Sequence, residues 1–289
     1  MKTSHFLPDK MFGAVVGDTV GSVYEWHNIK YKIDEESMAV GRARFTDDSV
    51  MTCAVADGIL RALRQLSDEW LAAGEESRAV IKSEIVRSLK TYGRRFPRAG
   101  YGGSFRRWLA SESSEPYNSW GNGSAMRVSF AGWAARSLEE AEVLAELSAA
   151  VTHNHPEGVK GAKAVAGSIY LLRSGGTKED VRQYAGRYYD LGFTLDEIRA
   201  AYTFDVSCQG SVPQAIVAFL TGKSFADAVA EAISIGGDSD TIAAIAGSMA
   251  EVVYPIPTAL KQRVAERLDD FLLQTLTDAA EFAEERKAK

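Results

Sequence analysis

Ser234-Ile-Gly-Gly-Asp238-Ser-Asp240-Thr241, continued by Ile-Ala-Ala-Ile-Ala-Gly-Ser-Met-Ala-Glu-Val-Val-Tyr-Pro255, joins a Gly-Gly bend to an apolar helix. Ile242, Ile245, Ala246, Met249, Val252 and Val253 recur at helical spacing. Two carboxylates and a hydroxyl thus stand at the mouth of a helix whose body is apolar. On one ideal helix Asp238 and Asp240 point about 200° apart. They converge on one object only if Asp238 still lies in the loop, where Gly236 and Gly237 permit unusual backbone angles. The plainer role for Asp, Ser and Thr at this place is a helix N-cap.

A second stretch, Phe45-Thr46-Asp47-Asp48-Ser49, has the same make-up and precedes Val50, Met51, Ala54, Val55, Ile59 and Leu63. Both ends of the chain therefore offer Thr and two Asp at the start of an apolar helix. If they meet, four carboxylates share one small volume. A helix N-terminus supplies only about half a positive charge, too little to hold four anions together. Hard cations resolve that repulsion, and oxygen ligands suit Mg²⁺, Mn²⁺ or Ca²⁺ over zinc. The expectation is a metal centre.

The remainder of the chain limits the alternatives. The 289 residues are 46% hydrophobic and 25% charged, with a formal net charge of −6, which argues against a general polyanion-binding surface and against nucleic acid as a partner. Cys53 and Cys208 make no disulfide framework or zinc cluster. The start lacks the apolar core of a signal peptide, and no run approaches the ~18 apolar residues of a membrane span. A cytoplasmic protein that does not engage membranes is expected.

In order, Gly13, Gly17 and Gly21 line one face of a helix read from Lys10 to Val23, where another backbone can come close. Glu25 follows, either as a solvated loop acid or as a fifth carboxylate of the metal centre. Helices are predicted from Ser49 to about Leu66, Glu75 to Arg94, Phe105 to Ala110, Ala125 to Ala135 and Leu138 to Val151. Further ones run from Pro156 through Leu172, then from Asp180 to Asp190, Thr194 to Tyr202, Val212 to Leu220, Phe225 to Ile235, and Thr258 to about Glu285, with a frayed tail. Two Gly-rich loops precede helices: Gly100-Tyr101-Gly102-Gly103-Ser104 and Ser119-Trp120-Gly121-Asn122. Bare amides beside a helix N-terminus can hold phosphate oxygens, although such loops are also ordinary turns. His153 and His155 sit in a polar hinge. No segment alternates as a strand. The expectation is an all-α fold: one compact, orthogonal multi-helix domain spanning residues 1–289, with its core at about 11–285 and a binuclear metal cleft.

Gly17-Asp18 through Tyr24-Glu25, Phe45 to Ser49, Gly121 to Arg127, Thr152 to Gly158 and Gly236 to Thr241 together resemble the ADP-ribosylglycohydrolase family. That family includes the hydrolase that reactivates ADP-ribosylated dinitrogenase reductase. The resemblance runs in order from about Met11 to Tyr254 and implies an all-α enzyme with two Mg²⁺ or Mn²⁺ ions. It places the metal ligands on Glu25, Thr46, Asp47, Asp48, Asp238, Asp240 and Thr241; on chemical grounds, proton handling is assigned to Glu25 and Asp48. ADP-ribose contacts fall on Gly100, Tyr101, Gly102, Gly103, Ser104, Ser119, Trp120, Gly121, Asn122 and His153.

The implied activity is metal-dependent removal of ADP-ribose from an ADP-ribosylated protein by a monomer, with free ADP-ribose as product. Resemblance of the Thr152–Gly158 stretch to the bacterial branch points to an arginine linkage, with serine- or O-acetyl-linked ADP-ribose as the alternative. A non-catalytic ADP-ribose binder and a metal-dependent phosphoesterase are the readings of another class.

Overall fold

A computed structural model describes residues 7–38 and 41–287. The first six residues, read as lacking a signal-peptide core, and the last two of the expected tail lie outside these. The described residues form fifteen helices and no strand. None of the helices is long and apolar enough to cross a membrane.

The site depends on four of them: α1 (Gly13–Gly21), α2 (Asp47–Gln65), α3 (Glu75–Arg95) and, near the other end, α13 (Ser239–Val253). Between α3 and α13 run α4 (Gly103–Ala110), α5 (Gly123–Met126), α6 (Ser129–Ala134), α7 (Leu138–Ala150), α8 (Pro156–Arg173), α9 (Lys178–Ala185), α10 (Leu195–Arg199), α11 (Cys208–Thr221) and α12 (Phe225–Ser234). Helices α14 (Thr258–Ala265) and α15 (Asp270–Lys287) close the chain. One apolar cluster extends from Met11 to Ala283.

Helix α1 is buried along its whole length and lies antiparallel against α13. Gly13 abuts Gly247, Gly17 abuts Ala243, and Gly21 abuts Asp240. The glycine stripe read in the sequence is this contact. A Cβ on Gly17 would stand 2.0 Å from the Ala243 carbonyl oxygen, so no larger residue fits without parting the helices. At the far end, Glu251 of α13 accepts from the Phe12 and Gly13 amides (2.9 and 2.8 Å), satisfying two of the donors that the start of α1 leaves open. Antiparallel docking then brings the end of α1, with Glu25 just beyond, to the beginning of α13, where Asp238 and Asp240 stand.

Boundaries differ from the sequence reading in several places. The helix read from Asp180 to Asp190 ends at Ala185, the one read from Thr194 to Tyr202 ends at Arg199, and the one read from Val212 begins at Cys208. The expected helix from Ala125 to Ala135 is two short ones, α5 and α6, parted at Arg127. There the buried guanidinium turns inward to the Ser148 carbonyl and the Thr152 hydroxyl (3.1 and 2.7 Å). The long C-terminal helix is likewise broken, because Asp269 caps a fresh start by accepting from the Phe271 amide at 2.9 Å. Of the expected tail, Glu284–Lys287 stay helical: Arg286 is buried on the Ala134 carbonyl (2.7 Å) and Glu140 (2.5 Å).

Two valine substitutions test the α1–α13 contact against each other. Gly17→Val is expected to cost about 3 kcal/mol by overpacking and to lower the thermal midpoint by roughly 10 °C. Gly102→Val, where an added Cβ meets nothing within 4 Å, should leave the midpoint near wild type. Calorimetry of both variants checks it; equal midpoints would contradict the contact.

Candidate active site

Asp18 is the centre of the site's scaffolding. It is fully buried, one turn before the end of α1. Its carboxylate accepts from the Thr46 amide (2.8 Å), the Thr46 hydroxyl (2.6 Å), the Ser49 amide (3.1 Å) and the Ser49 hydroxyl. Three of these donors meet Oδ2 and one, the Thr46 hydroxyl, meets Oδ1. The start of α2 is thereby locked to α1. Thr46 is the N-cap of α2, its oxygen accepting from the Asp48 amide while its proton goes to Asp18. A hydroxyl thus fills at α2 the capping role that the sequence reading offered for the Asp238 stretch.

It does not hold at Asp238. Asp238 occupies the N-cap position of α13, yet its side chain caps nothing. Gly236 and Gly237, both at positive φ (69° and 73°), turn the chain so that this carboxylate faces the cleft and accepts from Asn122 Nδ2 at 2.6 Å. Asn122 also donates to Ser211 (3.0 Å), which fixes its orientation. Asp48 accepts from the Thr241 hydroxyl at 3.2 Å, a bond between residues 193 positions apart that closes the site across the chain.

The carboxylates gather in two groups, Asp18 with Asp48 and Asp240, and Glu25 with Asp238 and Asp240; within each, one oxygen per residue lies within 4.8 Å of the others. Asp240 belongs to both. Burial pushes the carboxyls of Asp18, Glu25, Asp48, Asp238 and Asp240 above their usual range. Neighbouring negative charge adds to this, from Asp238 at Glu25, from Asp18 and Asp47 at Asp48, and from Asp48 at Asp240. Asp47, half-buried beside them, rises to about 7, by burial first and the Asp18 charge second. Asp48 Oδ1 is buried with no hydrogen-bond donor at all. Lone pairs left open among crowded carboxylates fit a hard divalent cation, and the all-oxygen donor set agrees.

These acids, Asp18 apart, line a cleft of about 390 Å³. Of the residues expected at the site, Glu25, Asp47, Asp48, Asp238, Asp240 and Thr241 line it, as do Gly100, Gly102, Gly103, Ser104, Ser119, Gly121, Asn122 and His153. Three expected contacts lie elsewhere. Thr46 sits behind the wall on Asp18, and Tyr101 is turned into the core against Phe105, only 2% exposed. Trp120 faces outward, 54% exposed, edge-on to His155.

The two glycine loops differ in what they offer. In the second, the Gly121 amide donates to Ser119 Oγ (3.1 Å) and the Asn122 amide to the Val206 carbonyl (2.8 Å), so both are spent within the protein. In the first, Gly102 stands at the head of α4 with no side-chain cap, leaving first-turn amides toward the cleft. His153 packs beside Tyr117 (5.9 Å between rings), with Nδ1 on the Thr152 hydroxyl (2.8 Å). Burial, with the Arg127 charge second, holds the ring well below its ordinary pKa and so neutral. His155 instead caps α8, accepting from the Glu157 amide at 3.1 Å. Sequence reasoning missed Asp18, Tyr117, Arg127 and Phe204. For Asp18 the signal was there, an acid inside an otherwise apolar, glycine-striped helix.

The fold and this cleft define an all-α protein whose acid cluster is assembled from distant parts of the chain. Residues 10–289 match the family model of ADP-ribosylglycohydrolases, and the chain belongs to that family. It is 26% identical to ADP-ribosylhydrolase ARH3 of Mus musculus, over 84% of this chain and 82% of that protein. It is 24% identical to ADP-ribosylarginine hydrolase Tri1 of Pseudomonas putida, over 85% of this chain and 70% of that protein. A solved ADP-ribosylglycohydrolase-related protein complex superposes with a TM-score of 0.65 at 20% identity, covering 94% of this chain and 95% of its own. The chain is thus an enzyme of the glycosidase type, as expected.

The raised carboxyls give a signed pH dependence. A group whose folded pKa lies above its unfolded value binds protons more tightly when folded, so stability is lost as pH rises through that window. Without divalent cations, the thermal midpoint should fall between about pH 4 and about pH 8, from the ordinary Asp value through the value of about 7 for Asp47. Adding Mg²⁺ or Mn²⁺ should raise the midpoint most at the higher pH. Thermal shift across pH with and without the cation checks this, and a cation effect independent of pH would oppose it.

Proposed function

We propose that the chain, acting as one domain, hydrolyses the glycosidic bond between ADP-ribose and a modified protein side chain, with arginine as the favoured linkage and two Mg²⁺ or Mn²⁺ ions as cofactors. The observation that carries this reading is the doubled acid cluster with Asp240 common to both halves. Asp18 is held by Thr46 and Ser49 and does not line the cleft, so the exposed ligand set is Glu25, Asp48, Asp238 and Asp240, with Asp47 and the Thr241 hydroxyl beside them. These residues would hold the cations, which would offset part of the crowded negative charge and supply Lewis-acid polarisation of the ribose hydroxyls.

The protein's own groups supply the rest. The uncapped head of α4 at Gly102 and Gly103 takes the diphosphate, where amide donors and the helix dipole favour anions. Neutral His153 and Tyr117 flank the adenosine side without bringing a charge. With the diphosphate held at α4, the distal ribose is oriented over the acids. Cleavage at the anomeric carbon builds positive charge, which the surrounding carboxylates stabilise. Glu25, half-buried at the cleft edge with a raised pKa, is suited to take a proton from attacking water, with Asp48 as the second proton-handling group.

The preference for arginine is supported by the name of the Pseudomonas relative and by charge. A guanidinium is drawn to a cleft walled by carboxylates, whereas a serine linkage brings no such charge.

Product analysis tests the reaction. Release of free ADP-ribose from an arginine-linked peptide is expected, with kcat/KM at least equal to that on a serine-linked peptide of the same length. AMP or inorganic phosphate as product would identify a phosphoesterase instead. Asp48→Asn and Asp240→Asn should each lower turnover ~10²–10³-fold while the circular dichroism stays helical.

Gly102→Val places its side chain into the cleft with no neighbour to displace. Its Kd for free ADP-ribose should rise about tenfold or more by calorimetric titration. An unchanged Kd would remove the diphosphate from the head of α4.

A further inference from the structure

Six large apolar side chains are exposed among the described residues, and three of them, Trp26 (74%), Phe204 (44%) and Val206 (54%), line this one cleft. Trp26 and Phe204 are stacked, with ring centroids 5.3 Å apart and planes within 17°. They come from opposite parts of the chain, Trp26 from the turns after α1 and Phe204 from the connector between α10 and α11. Leaving an aromatic pair in water at a functional cleft costs apolar burial, so the pair calls for a ligand face.

Its position ties it to the acid end. Trp26 directly follows Glu25, and Thr203, next to Phe204, presents its carbonyl to Gly237 beside Asp238 (3.1 Å from where a Cβ on Gly237 would stand). The connector is fastened on both sides of Phe204. Lys30 holds the Tyr202 carbonyl (2.5 Å), and the Val206 carbonyl takes the Asn122 amide (2.8 Å). Phe204 is therefore carried on an anchored segment, and its ring and that of Trp26 line the same cleft as Glu25, Asp48, Asp238 and Asp240.

We infer that Trp26 and Phe204 form the acceptor-side clamp of this enzyme, a stacking wall that holds the planar guanidinium of an ADP-ribosylated arginine and so sets the linkage preference. The inference rests on the hydrolase reading above and adds the residues that choose the substrate. In that reaction the bond between the anomeric carbon and the guanidinium nitrogen breaks. Water supplies a hydroxyl to the sugar and a proton to the nitrogen, and the guanidinium leaves with the charge it brought. A delocalised planar cation stacks on an aromatic face and is only weakly hydrated, so it tolerates the partly dry wall. Glu25, one residue away, offers the same cation a carboxylate. A serine leaving group has neither the plane nor the charge to use such a wall.

The test compares Trp26→Leu, Phe204→Leu and Trp26→Phe with wild type on arginine-linked and serine-linked ADP-ribosyl peptides of equal length, together with free ADP-ribose binding by calorimetry. The leucine variants keep apolar bulk and lose the ring. They are expected to lower the arginine-to-serine ratio of kcat/KM about tenfold, mainly through KM on the arginine peptide. Trp26→Phe should restore most of the ratio, and the Kd for ADP-ribose should stay at its wild-type value. An unchanged ratio, equal losses on both peptides, or weakened ADP-ribose binding would overturn the clamp. A wild type that releases ADP-ribose from neither peptide would overturn the hydrolase reading itself, and the clamp with it.

Discussion

Helices α1 and α13 touch backbone to backbone along the Gly13, Gly17 and Gly21 stripe, and every feature of the cleft depends on that approach. Side chains of ordinary size would hold two helix axes 8–10 Å apart. Glycines opposite Ala243 and Gly247 let them come closer, and the antiparallel sense carries Glu25 to the start of α13. Glu251 fixes the other end by capping α1. The two ends of a chain of 289 residues are thereby joined before any active-site side chain is considered.

Docking the helices so closely places acids where water would otherwise screen them. The protein manages Asp18 and the remaining carboxylates differently. Asp18 is satisfied internally by Thr46 and Ser49, which turns a buried charge into a bracket between α1 and α2. A buried carboxylate accepting several hydrogen bonds is held in place, not merely tolerated. Asp48 and Asp240 are less provided for, and Asp48 keeps one oxygen with no donor. That imbalance separates the scaffold acid from the acids open to a ligand.

The cleft is lined by groups of different chemistry: carboxylates, the stacked Trp26 and Phe204, and a neutral His153 against Tyr117. The head of α4 provides the anion-binding element that the second glycine loop, with its Gly121 and Asn122 amides already bonded, does not. A ligand with an anionic part and a cationic attachment point matches that set of surfaces.

The sequence by itself determined the helical class, the glycine stripe and the two acidic helix starts, because helical periodicity and residue chemistry are local properties. It also showed Pro156 at the first turn of a helix, where α8 begins. Tertiary structure alone decided which acid serves the scaffold and which faces the cleft. Asp18 and Asp48 are the same residue type in similar apolar surroundings, and only the arrival of Thr46 and Ser49 from another helix tells them apart. The same holds for the aromatics. Tyr101 and Trp120 lie inside the glycine loops yet turn away, whereas Phe204, in a connector with no pattern of its own, meets Trp26 across the chain. Which way a side chain faces depends on the packing around it, and that packing comes from residues far away in the sequence.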